Sequence, residues 1–399
     1  MRLRSTERTY VIARTAFVSS YPPRRCGIAT FTRDLAAATG DREIAVLLPP
    51  GRGTPFPLEV HHRIRRDERA DYAATGRALG ACVETVSIQF DYDTWGGDDG
   101  EYVFDLVQAL GIPAVATLHT ILRTPTLRQR TVLADLIASV DATVVMSQSA
   151  ATLLTTEYGV DPLRLNIIPH GVPDLPLADP AVIKASLDLE GRQVILSFGL
   201  LSPTKGFELM LEALPAVIAV NPDVCYVIVG VTHPDLLEAE GEAYRATLVA
   251  RVKALKLGNH VRFVDEFAHR VAMTRWLQAA DIVVTPYPDP DQMVSGTLSY
   301  AMGAGRAIVS TPYAYAAELL ADGRGVLVPD ASPDVFASAI NEVLADDDRR
   351  AALGRAAYDH SRTMVWSEVG AQYRALFQRV GAASVAALAP PAGFTTLNA

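Results

Sequence analysis

Many of the residues that could bind an anion lie in one stretch, Asp289–Tyr313, which reads DPDQMVSGTLSYAMGAGRAIVSTPY. The order of residue types predicts a polar loop, a helix and an apolar strand. Ser295 or Thr297 can cap the helix, where free backbone N–H groups and the helix dipole favour a negative charge. We therefore expect Ser295, Gly296 and Thr297 to form a small anion site, with phosphate as its natural occupant. The alternative is an ordinary capped helix of an α/β domain.

Three other loops carry basic side chains or a histidine directly after apolar runs. They are Tyr21–Thr30 (YPPRRCGIAT), His119–Gln129 (HTILRTPTLRQ) and Gly199–Gly206 (GLLSPTKG). In the first loop, Gly27 permits close approach of the backbone to a ligand. Arg24 and Arg25 offer planar donors suited to phosphate or hydroxyl oxygens. Solvated arginines in a strand-to-helix turn are the alternative.

His119 and Lys205 are the candidates for catalysis. His119 ends an apolar run, where a general base or a sugar-hydroxyl ligand would project from a strand. Lys205 lies at the start of a predicted helix, where its charge adds to the helix dipole and favours an anion. The alternatives are a structural histidine and a surface lysine. His170 could be a hinge residue or a cleft ligand, and Glu318 could bind a diol or lie on a solvated helix face.

Strands that alternate with amphipathic helices must position these loops. The alternation implies parallel sheets, and it restarts after the turn at Pro169–Pro173. We predict an α/β fold with two doubly wound domains, residues 1–173 and 174–365. Residues 366–380 form an amphipathic helix that could pack across either domain, and residues 381–399 a disordered tail. Ligands of such sheets bind beyond the carboxyl ends of the strands, so the site should lie in the cleft between the domains.

The composition favours a small-molecule or carbohydrate ligand. With a formal net charge of −9, the 399-residue chain lacks the basic surface that nucleic acids or anionic membranes require. Cys26, Cys82 and Cys225 are far apart and show no metal-ligand spacing, so we expect neither disulfides nor a zinc site. A reducing cytoplasm is the expected location. Thr9–Val18 reads as a strand rather than part of a signal peptide, and no apolar run approaches the ~20 residues needed to span a bilayer.

Over roughly residues 10–380, the sequence resembles the retaining GT-B glycosyltransferases of family 4. The resemblance rests on GLLSPTKGFELMLEAL, VIVG, ADIVVTP, Gly296–Thr311 and ELLADGRGVLVP, and on YPP…CGIATF, His119, VVMSQSA and IIPHGVP in the N-terminal half. It implies two facing Rossmann-like domains with an acceptor site on the first and a nucleotide-sugar site on the second. It also implies that the helix over 366–380 returns to the N-terminal domain.

The resemblance implies roles for individual residues. His119 matches the family's strand-end histidine near the donor sugar, and Lys205 matches the lysine of its phosphate motif. Gly27 matches the N-terminal glycine loop. Such enzymes need no metal, because helix-terminal amides and basic side chains hold the donor diphosphate. The resemblance thus implies a nucleotide sugar as co-substrate, no other cofactor and a sugar-like acceptor.

Three positions depart from the family pattern. Leu200 replaces the arginine of the phosphate motif, and Gln292 and Tyr300 replace a pair of glutamates eight residues apart. In the family, the first glutamate contacts the donor sugar and the second the ribose diol. Gln292 can still hydrogen-bond a sugar, but a tyrosine hydroxyl cannot grip a vicinal diol as a carboxylate does. Asp265–Phe267 is the region expected to meet the nucleotide base.

Three functions remain open at this point. The first is a metal-independent, retaining transfer of a hexose-type sugar from a nucleotide sugar to a sugar or small-molecule hydroxyl, with Arg24 or Arg25 replacing the missing arginine. The second is a GT-B glycoside phosphorylase or pseudo-glycosyltransferase that acts on a phosphorylated sugar-like substrate. The third is a non-catalytic sugar-binding subunit, and the presence of His119 and Lys205 argues against it.

Overall fold

The chain folds around two parallel β-sheets in a computed structural model that describes residues 14–41, 43–48, 55–267 and 270–388. The first sheet comprises β1 (Thr15–Ser19), β2 (Glu43–Leu48), β3 (Val60–Arg65), β4 (Thr85–Phe90), β5 (Ala114–Leu118), β6 (Ala142–Val145) and β7 (Leu165–Ile167). The second comprises β8 (Gln193–Phe198), β9 (Val224–Val229), β10 (Val261–Val264), β11 (Ile282–Thr285), β12 (Ala307–Ser310) and β13 (Val326–Leu327).

Helices connect the strands of each sheet. Those of the N-terminal domain are α1 (Gly27–Thr39), α2 (Arg69–Gly80), α3 (Val103–Leu110), α4 (Leu127–Ser139) and α5 (Gln148–Glu157). In the C-terminal domain they are α6 (Pro180–Lys184), α7 (Phe207–Val220), α8 (Pro234–Glu240), α9 (Ala243–Ala254), α10 (Arg270–Ala279), α11 (Gly296–Gly303), α12 (Ala314–Leu319), α13 (Pro333–Ala345) and α14 (Asp347–Ser361). The last helix is α15 (Trp366–Leu388).

Both sheets have the strand order of a Rossmann-like fold. The first runs β3-β2-β1-β4-β5-β6-β7 and the second β10-β9-β8-β11-β12-β13, with neighbouring strands parallel. Each order reverses beside its first strand, which opens a crevice at the carboxyl ends where ligands bind. The predicted α/β class with two doubly wound domains is confirmed. The chain passes from one sheet to the other between β7 and β8.

Each sheet is apolar on both faces, as expected for parallel strands covered by helices. In β1, the side chains of Ala16 and Val18 pack into one cluster with β4, α2 and α3. The side chain of Phe17 points to the opposite face and packs with residues of α1 and α15. This alternation along a single strand gives the N-terminal domain two cores, one on each side of the sheet.

Helix α15 packs on the N-terminal domain, although it follows the C-terminal one. Val369, Tyr373 and Phe377 lie in the same cluster as Phe17. The hydroxyl of Tyr373 lies 3.0 Å from Oγ1 of Thr117, so a hydrogen bond joins the helix to β5.

The two chain segments that connect the domains run side by side. The backbone N–H of Val172 donates to the carbonyl of Met364 at 2.8 Å, and that of Trp366 donates to the carbonyl of Val172 at 3.0 Å. Trp366 also packs its ring on the Cα of Gly171, where a Cβ would lie 2.3 Å from Cε3 of the indole. A glycine is therefore required where the two segments cross.

The bounds predicted for the first strand and for the C-terminal tail differ from those in the structure. The predicted first strand begins at Thr9, but β1 begins at Thr15, and residues 9–13 lie outside the described residues. The predicted tail begins at Gly381, but α15 continues to Leu388, so this part of the prediction is wrong. Alanine and leucine are strong helix formers, and this segment is rich in them. Residues 389–399 lie outside the described residues.

Within the described ranges, no helix combines the length and the apolar character that crossing a bilayer requires.

Replacing Gly171 with alanine should destabilise the protein because the new methyl group would overlap the indole of Trp366. We expect the Gly171→Ala change to lower the free energy of unfolding by about 1–3 kcal/mol, as overpacking does. Gly258 is a matched control, since a Cβ there meets no atom within 4 Å. Chemical denaturation should separate the two variants, and equal unfolding midpoints would contradict the proposed packing constraint.

Candidate active site

The two domains enclose a cleft of about 790 Å³ at the carboxyl ends of their sheets. Six of the nine predicted site residues line it: Arg25, Gly27, Lys205, Gly296, Thr297 and Tyr300. Arg24, Leu200, His170 and Asp265–Phe267 line it as well. His119, Gln292 and Ser295 are not among the lining residues. Three of the four loops that the sequence singled out therefore meet at the cleft, whereas His119–Gln129 contributes no lining residue.

The N-terminal wall of the cleft supplies arginines. Cys26 caps α1, because its Sγ accepts a hydrogen bond from the backbone N–H of Ala29 at 3.3 Å. Just before this cap, Nη1 of Arg24 is buried without a hydrogen-bond partner among the described residues. Arg25 is exposed at the rim. A buried, unpaired guanidinium N–H is unfavourable, so Arg24 is ready to donate to a ligand.

Bare backbone forms the floor of the cleft on the C-terminal side. A Cβ on Gly230 would lie 1.8 Å from the carbonyl oxygen of Gly199, so the loops after β8 and β9 touch through glycine. Gly206 has a φ of +63°, and a Cβ on it would lie 1.9 Å from the carbonyl oxygen of Pro286. Because these positions are glycines, no side chain stands between the backbone and a ligand in the cleft.

Lys205 ends a turn of 3₁₀ helix over Pro203–Lys205, just before α7. Its Nζ lies over the ring of Tyr287, 4.3 Å from the ring centroid. Tyr287 in turn stacks on Tyr313 at a centroid distance of 5.1 Å, which fixes the ring. A cation–π contact orients the ammonium group and uses no hydrogen-bond acceptor, so the N–H groups of Lys205 can donate to an anion.

Helix α11 directs its first turn into the cleft. The Oγ of Ser295 accepts a hydrogen bond from the backbone N–H of Leu298 at 3.2 Å, so Ser295 is the cap. Its side chain is buried and turned into the helix rather than toward the cleft. Gly296 and Thr297 line the cleft, and N–H groups of a first helical turn have no acceptor within the helix. The anion site predicted here is geometrically possible, with the backbone as donor.

His170 faces the same helix end, which the sequence left undecided. Its Nδ1 lies 2.8 Å from the carbonyl oxygen of Gly171 and donates to it, so Nε2 carries the lone pair. A Cβ on Gly296 would lie 3.0 Å from that Nε2. Burial lowers the pKa of His170 to about 4, so the imidazole is neutral at pH 7. Its Nε2 can accept a hydrogen bond from a ligand hydroxyl.

His119 lies behind the cleft surface. Its Nε2 lies 2.9 Å from Oε1 of Gln89 and donates to that oxygen, and its ring meets the ring of Phe31 edge-on at 4.9 Å. Burial, reinforced by the neighbouring His170, lowers the pKa of His119 to about 3. Such an imidazole stays neutral and is a weak base at pH 7. The geometry therefore favours a hydrogen-bonding role for His119 over general base catalysis.

The positions that depart from the family pattern have contacts of their own. The side-chain amide of Gln292 donates to the carbonyl of Val294 at 2.9 Å, which closes the loop before α11 and turns the amide away from the cleft. A sugar contact of Gln292 stays a prediction, and it would require the amide to leave the carbonyl of Val294. The hydroxyl of Tyr300 donates to Oδ2 of Asp34 on α1 at 3.3 Å. Burial and this carboxylate raise the pKa of Tyr300.

Glu318 joins the two domains, an arrangement that neither sequence alternative anticipated. Its carboxylate accepts hydrogen bonds from the backbone N–H groups of Gln148 and Ser149, each at 2.8 Å, and from Oγ of Ser149 at 2.7 Å. An acid of the C-terminal domain thus caps α5 of the N-terminal domain, where the helix dipole favours a negative charge. Arg123 and Asp291 form a further interdomain ion pair at 2.7 Å.

Two family models match the chain. The family described as glycosyl transferases group 1 matches residues 180–360, and Glycosyltransferase Family 4 matches residues 26–174. Together they take in both domains, and the resemblance inferred from the motifs is confirmed.

Curated relatives include a D-inositol 3-phosphate glycosyltransferase of Segniliparus rotundus, 27% identical over 67% of this chain and 62% of that relative. A phosphatidyl-myo-inositol mannosyltransferase of Mycolicibacterium smegmatis is 32% identical over 55% of this chain and 53% of the relative. In both cases the match covers less than two thirds of the relative's length.

Solved structures with the same fold include Anabaena HepE in complex with UDP and glucose. It matches with a TM-score of 0.73 and 18% identity over 92% of this chain and 100% of that chain. A sucrose-phosphate synthase of Thermosynechococcus elongatus has a TM-score of 0.75 and 17% identity over 93% and 100% of the two chains. At these identities the likeness concerns the fold, and the expected GT-B architecture is confirmed.

The buried histidines should make the protein less stable in acid. An unfolded histidine takes up a proton near pH 6.5, whereas His170 and His119 do so only near pH 4 and pH 3. Between these values the unfolded chain binds more protons, so stability falls as the pH drops from about 6.5 toward 4, by up to ~1.4 kcal/mol per pH unit for each histidine.

The His170→Gln variant should show a shallower loss of stability over this pH range, because one of the two groups is gone. The wild type, measured over the same pH range, is the reference for the slope. Denaturation midpoints measured from pH 4 to 7 test this. An unaltered slope in His170→Gln would mean that the imidazole is already solvated in the folded protein.

Proposed function

This chain belongs to the GT-B glycosyltransferases, and from that premise we propose that it transfers a hexose-type sugar from a nucleotide sugar to a hydroxyl of a sugar-like acceptor. We propose further that the anomeric configuration is retained and that no metal ion takes part in the chemistry. The names of the curated relatives support a cyclitol or a sugar as the acceptor class. HepE, with UDP and glucose bound in the same fold, supports a nucleotide sugar as donor.

The observation that carries this proposal is the convergence of separate donor groups on one cleft. Nζ of Lys205, the first-turn N–H groups of α11 and the unpaired Nη1 of Arg24 all belong to its lining residues. The first two are on the C-terminal domain and the third is on the N-terminal domain. A diphosphate placed between them would receive charge-assisted hydrogen bonds from both sides.

Arg24 is the residue that can replace the missing motif arginine. Leu200 lines the cleft at the motif position and adds no charge. The guanidinium of Arg24 supplies the same planar donor from the opposite wall. Donor binding would then draw the two domains together, because the diphosphate would have a ligand on each.

The proposed chemistry stabilises the leaving group. As the glycosidic bond breaks, negative charge develops on the departing phosphate, where Lys205 and the amides of α11 can donate hydrogen bonds. The acceptor hydroxyl gives its proton to that phosphate on the same face of the sugar, which is consistent with retention. His170 remains neutral and is suited to bind a sugar hydroxyl rather than to move a proton.

A second candidate is a phosphorylase or pseudo-glycosyltransferase that needs an anion pocket and no ribose grip. The orientation of Tyr300 favours it, because its hydroxyl donates its only hydrogen to Asp34 and a single oxygen cannot accept from both hydroxyls of a diol as a carboxylate does. The amide of Gln292, turned to Val294, is consistent with the same alternative.

A thermal-shift panel of UDP, GDP, ADP, their sugar conjugates and inorganic phosphate separates the two candidates. A ligand that binds only the folded state raises the unfolding temperature by mass action. Stabilisation by one nucleotide and more strongly by its sugar conjugate supports the transferase. Stabilisation by phosphate alone would sink the nucleotide-sugar proposal.

Lys205→Ala should reduce turnover by about 10²-fold or more, as the loss of one preorganised donor to a developing oxyanion does. Lys253 on α9 is exposed and serves as the control, and Lys253→Ala should keep wild-type turnover. The measurement is kcat with the donor and acceptor that the panel identifies. Wild-type turnover in Lys205→Ala would remove the phosphate contact from the mechanism.

Arg24→Gln should weaken donor binding by about 10-fold or more, because a hydrogen bond between charged groups contributes roughly 1.5–3 kcal/mol. Arg25→Gln is the neighbouring comparison and should have a smaller effect, since its side chain is exposed to solvent. Calorimetry with the nucleotide product gives both dissociation constants. If the two substitutions weaken binding equally, Arg24 is not the replacement for the motif arginine.

A further inference from the structure

A second group of reactive side chains lies at the end of the N-terminal sheet opposite the cleft. Glu43 is the first residue of β2, His61 and His62 lie near the start of β3, and Cys82 lies three residues before β4. The amino ends of parallel strands lie together at one end of the sheet, so these side chains are neighbours. The cleft lies at the other end, beyond the carboxyl ends of the strands.

The side chains converge on one carboxylate oxygen. Nε2 of His62 lies 3.2 Å from Oε1 of Glu43, and Nδ1 of His61 lies 3.4 Å from the same oxygen. One carboxylate oxygen of Glu43, one ring nitrogen of His62 and Sγ of Cys82 all lie within 4.8 Å of one another. The side chains of Glu43 and His62 are 19% and 23% exposed, and that of His61 is 49% exposed, so the group is partly buried and open to solvent.

A β-bulge brings the two histidines together. Successive side chains of a regular strand point to opposite faces, which would separate His61 from His62. The register between β2 and β3 pairs Ile44 with Val60 and Ala45 with His62, so His61 is the extra residue. Bulges re-aim side chains and are uncommon between parallel strands. Here the bulge lets both imidazoles reach Glu43.

We propose that Glu43, His62 and Cys82 bind a zinc ion, with His61 or a water molecule in the fourth position. Zinc takes carboxylate, imidazole and thiolate ligands at about 2.0–2.3 Å in a tetrahedron, which places neighbouring ligand atoms ~3.4 Å apart. The separation of 3.2 Å between Oε1 of Glu43 and Nε2 of His62 is close to this value, and Sγ of Cys82 lies within 4.8 Å of the ligand atoms of both residues. Magnesium and calcium prefer oxygen ligands alone, so this donor set selects against them.

The charges around the group are consistent with a divalent ion. Zinc binds cysteine as the thiolate, so binding at Cys82 would release the thiol proton to solvent. A zinc ion with one carboxylate and one thiolate then forms a neutral centre. Ion pairs of protonated histidines with Glu43 would explain two of the contacts but give Cys82 no role.

The role of such an ion is structural. It would join β2 to the edge strand β3 and to the segment before β4, three elements that are far apart in the chain. An edge strand has a neighbour on one side only and gains most from an added tether. Because the cleft lies at the carboxyl ends of the strands and the cluster at their amino ends, turnover should not depend on the ion.

The first test is zinc binding by the full chain, which is freed of metal with a chelator, dialysed and then given zinc. We expect one equivalent of zinc per chain to remain after gel filtration, and the zinc-bound protein to unfold at a higher temperature than the metal-free protein. Cys82→Ser and His62→Gln should each weaken binding at least 10-fold, and His61→Gln should weaken it less. Cys225→Ala is the matched control, because this cysteine lies on β9 in the other domain, and it should bind zinc as the wild type does.

Cobalt in place of zinc reports the ligands directly. Wild-type protein should show the near-ultraviolet charge-transfer band of a cobalt–thiolate bond, and Cys82→Ser should lose this band while circular dichroism shows an unchanged fold. The proposal fails if the wild type retains no zinc, or if Cys82→Ser and His62→Gln bind it as tightly as the wild type. Loss of turnover in parallel with loss of zinc would overturn the structural role.

Discussion

The packing of Trp366 on Gly171 is the constraint on which the two-domain arrangement depends. At this point the chain enters the C-terminal domain and leaves it again, and backbone hydrogen bonds between Val172 and its neighbours Met364 and Trp366 hold the two segments together. The indole occupies the space that any side chain at position 171 would fill. From this crossing, α15 continues onto the N-terminal sheet and completes one of its cores. The two walls of the cleft are thus joined at this crossing, and the contacts of Glu318, Arg123 and Tyr300 join the domains at further points.

The positive charge of the cleft lies on lysine and arginine side chains, whereas the two nearby histidines are neutral. Lys205, Arg24 and the amino end of α11 all favour an anion, whereas burial holds His170 and His119 neutral. A cationic imidazole would compete with Lys205 for the phosphate, and a neutral one can distinguish sugar hydroxyls by accepting or donating hydrogen bonds. The substitution of Leu200 for arginine removes one positive charge from the C-terminal wall. On the facing wall, Nη1 of Arg24 has no partner among the described residues, which is why the proposed replacement would make anion binding depend on both domains.

Local sequence patterns predicted what depends on local structure. The cap at Ser295, the loops after strands and the alternation that gives two parallel sheets all follow from residues close together in the chain.

Features that depend on distant partners could not be predicted in this way. Nothing near Glu318 indicates that it caps a helix of the other domain, and nothing near Gln292 indicates that its amide closes its own loop. The cluster at Glu43 could not be predicted for the same reason. Its residues come from three elements, so they show none of the short spacing by which metal sites are recognised in sequences. Small residues after Gly381 predict a disordered tail, but α15 continues to Leu388 because alanine favours helices.

The return of α15 to the N-terminal domain has a consequence for how the protein is made. Phe17, Val115 and Val144 on one face of the first sheet pack in the same cluster as Tyr373 and Phe377. The ribosome synthesises the strands of the first sheet long before this helix, since nearly the whole C-terminal domain is translated in between. During that interval the face carries apolar side chains without their final cover, which is the condition under which nascent chains associate wrongly or recruit chaperones. The domain that is synthesised first is thus the one that is completed last.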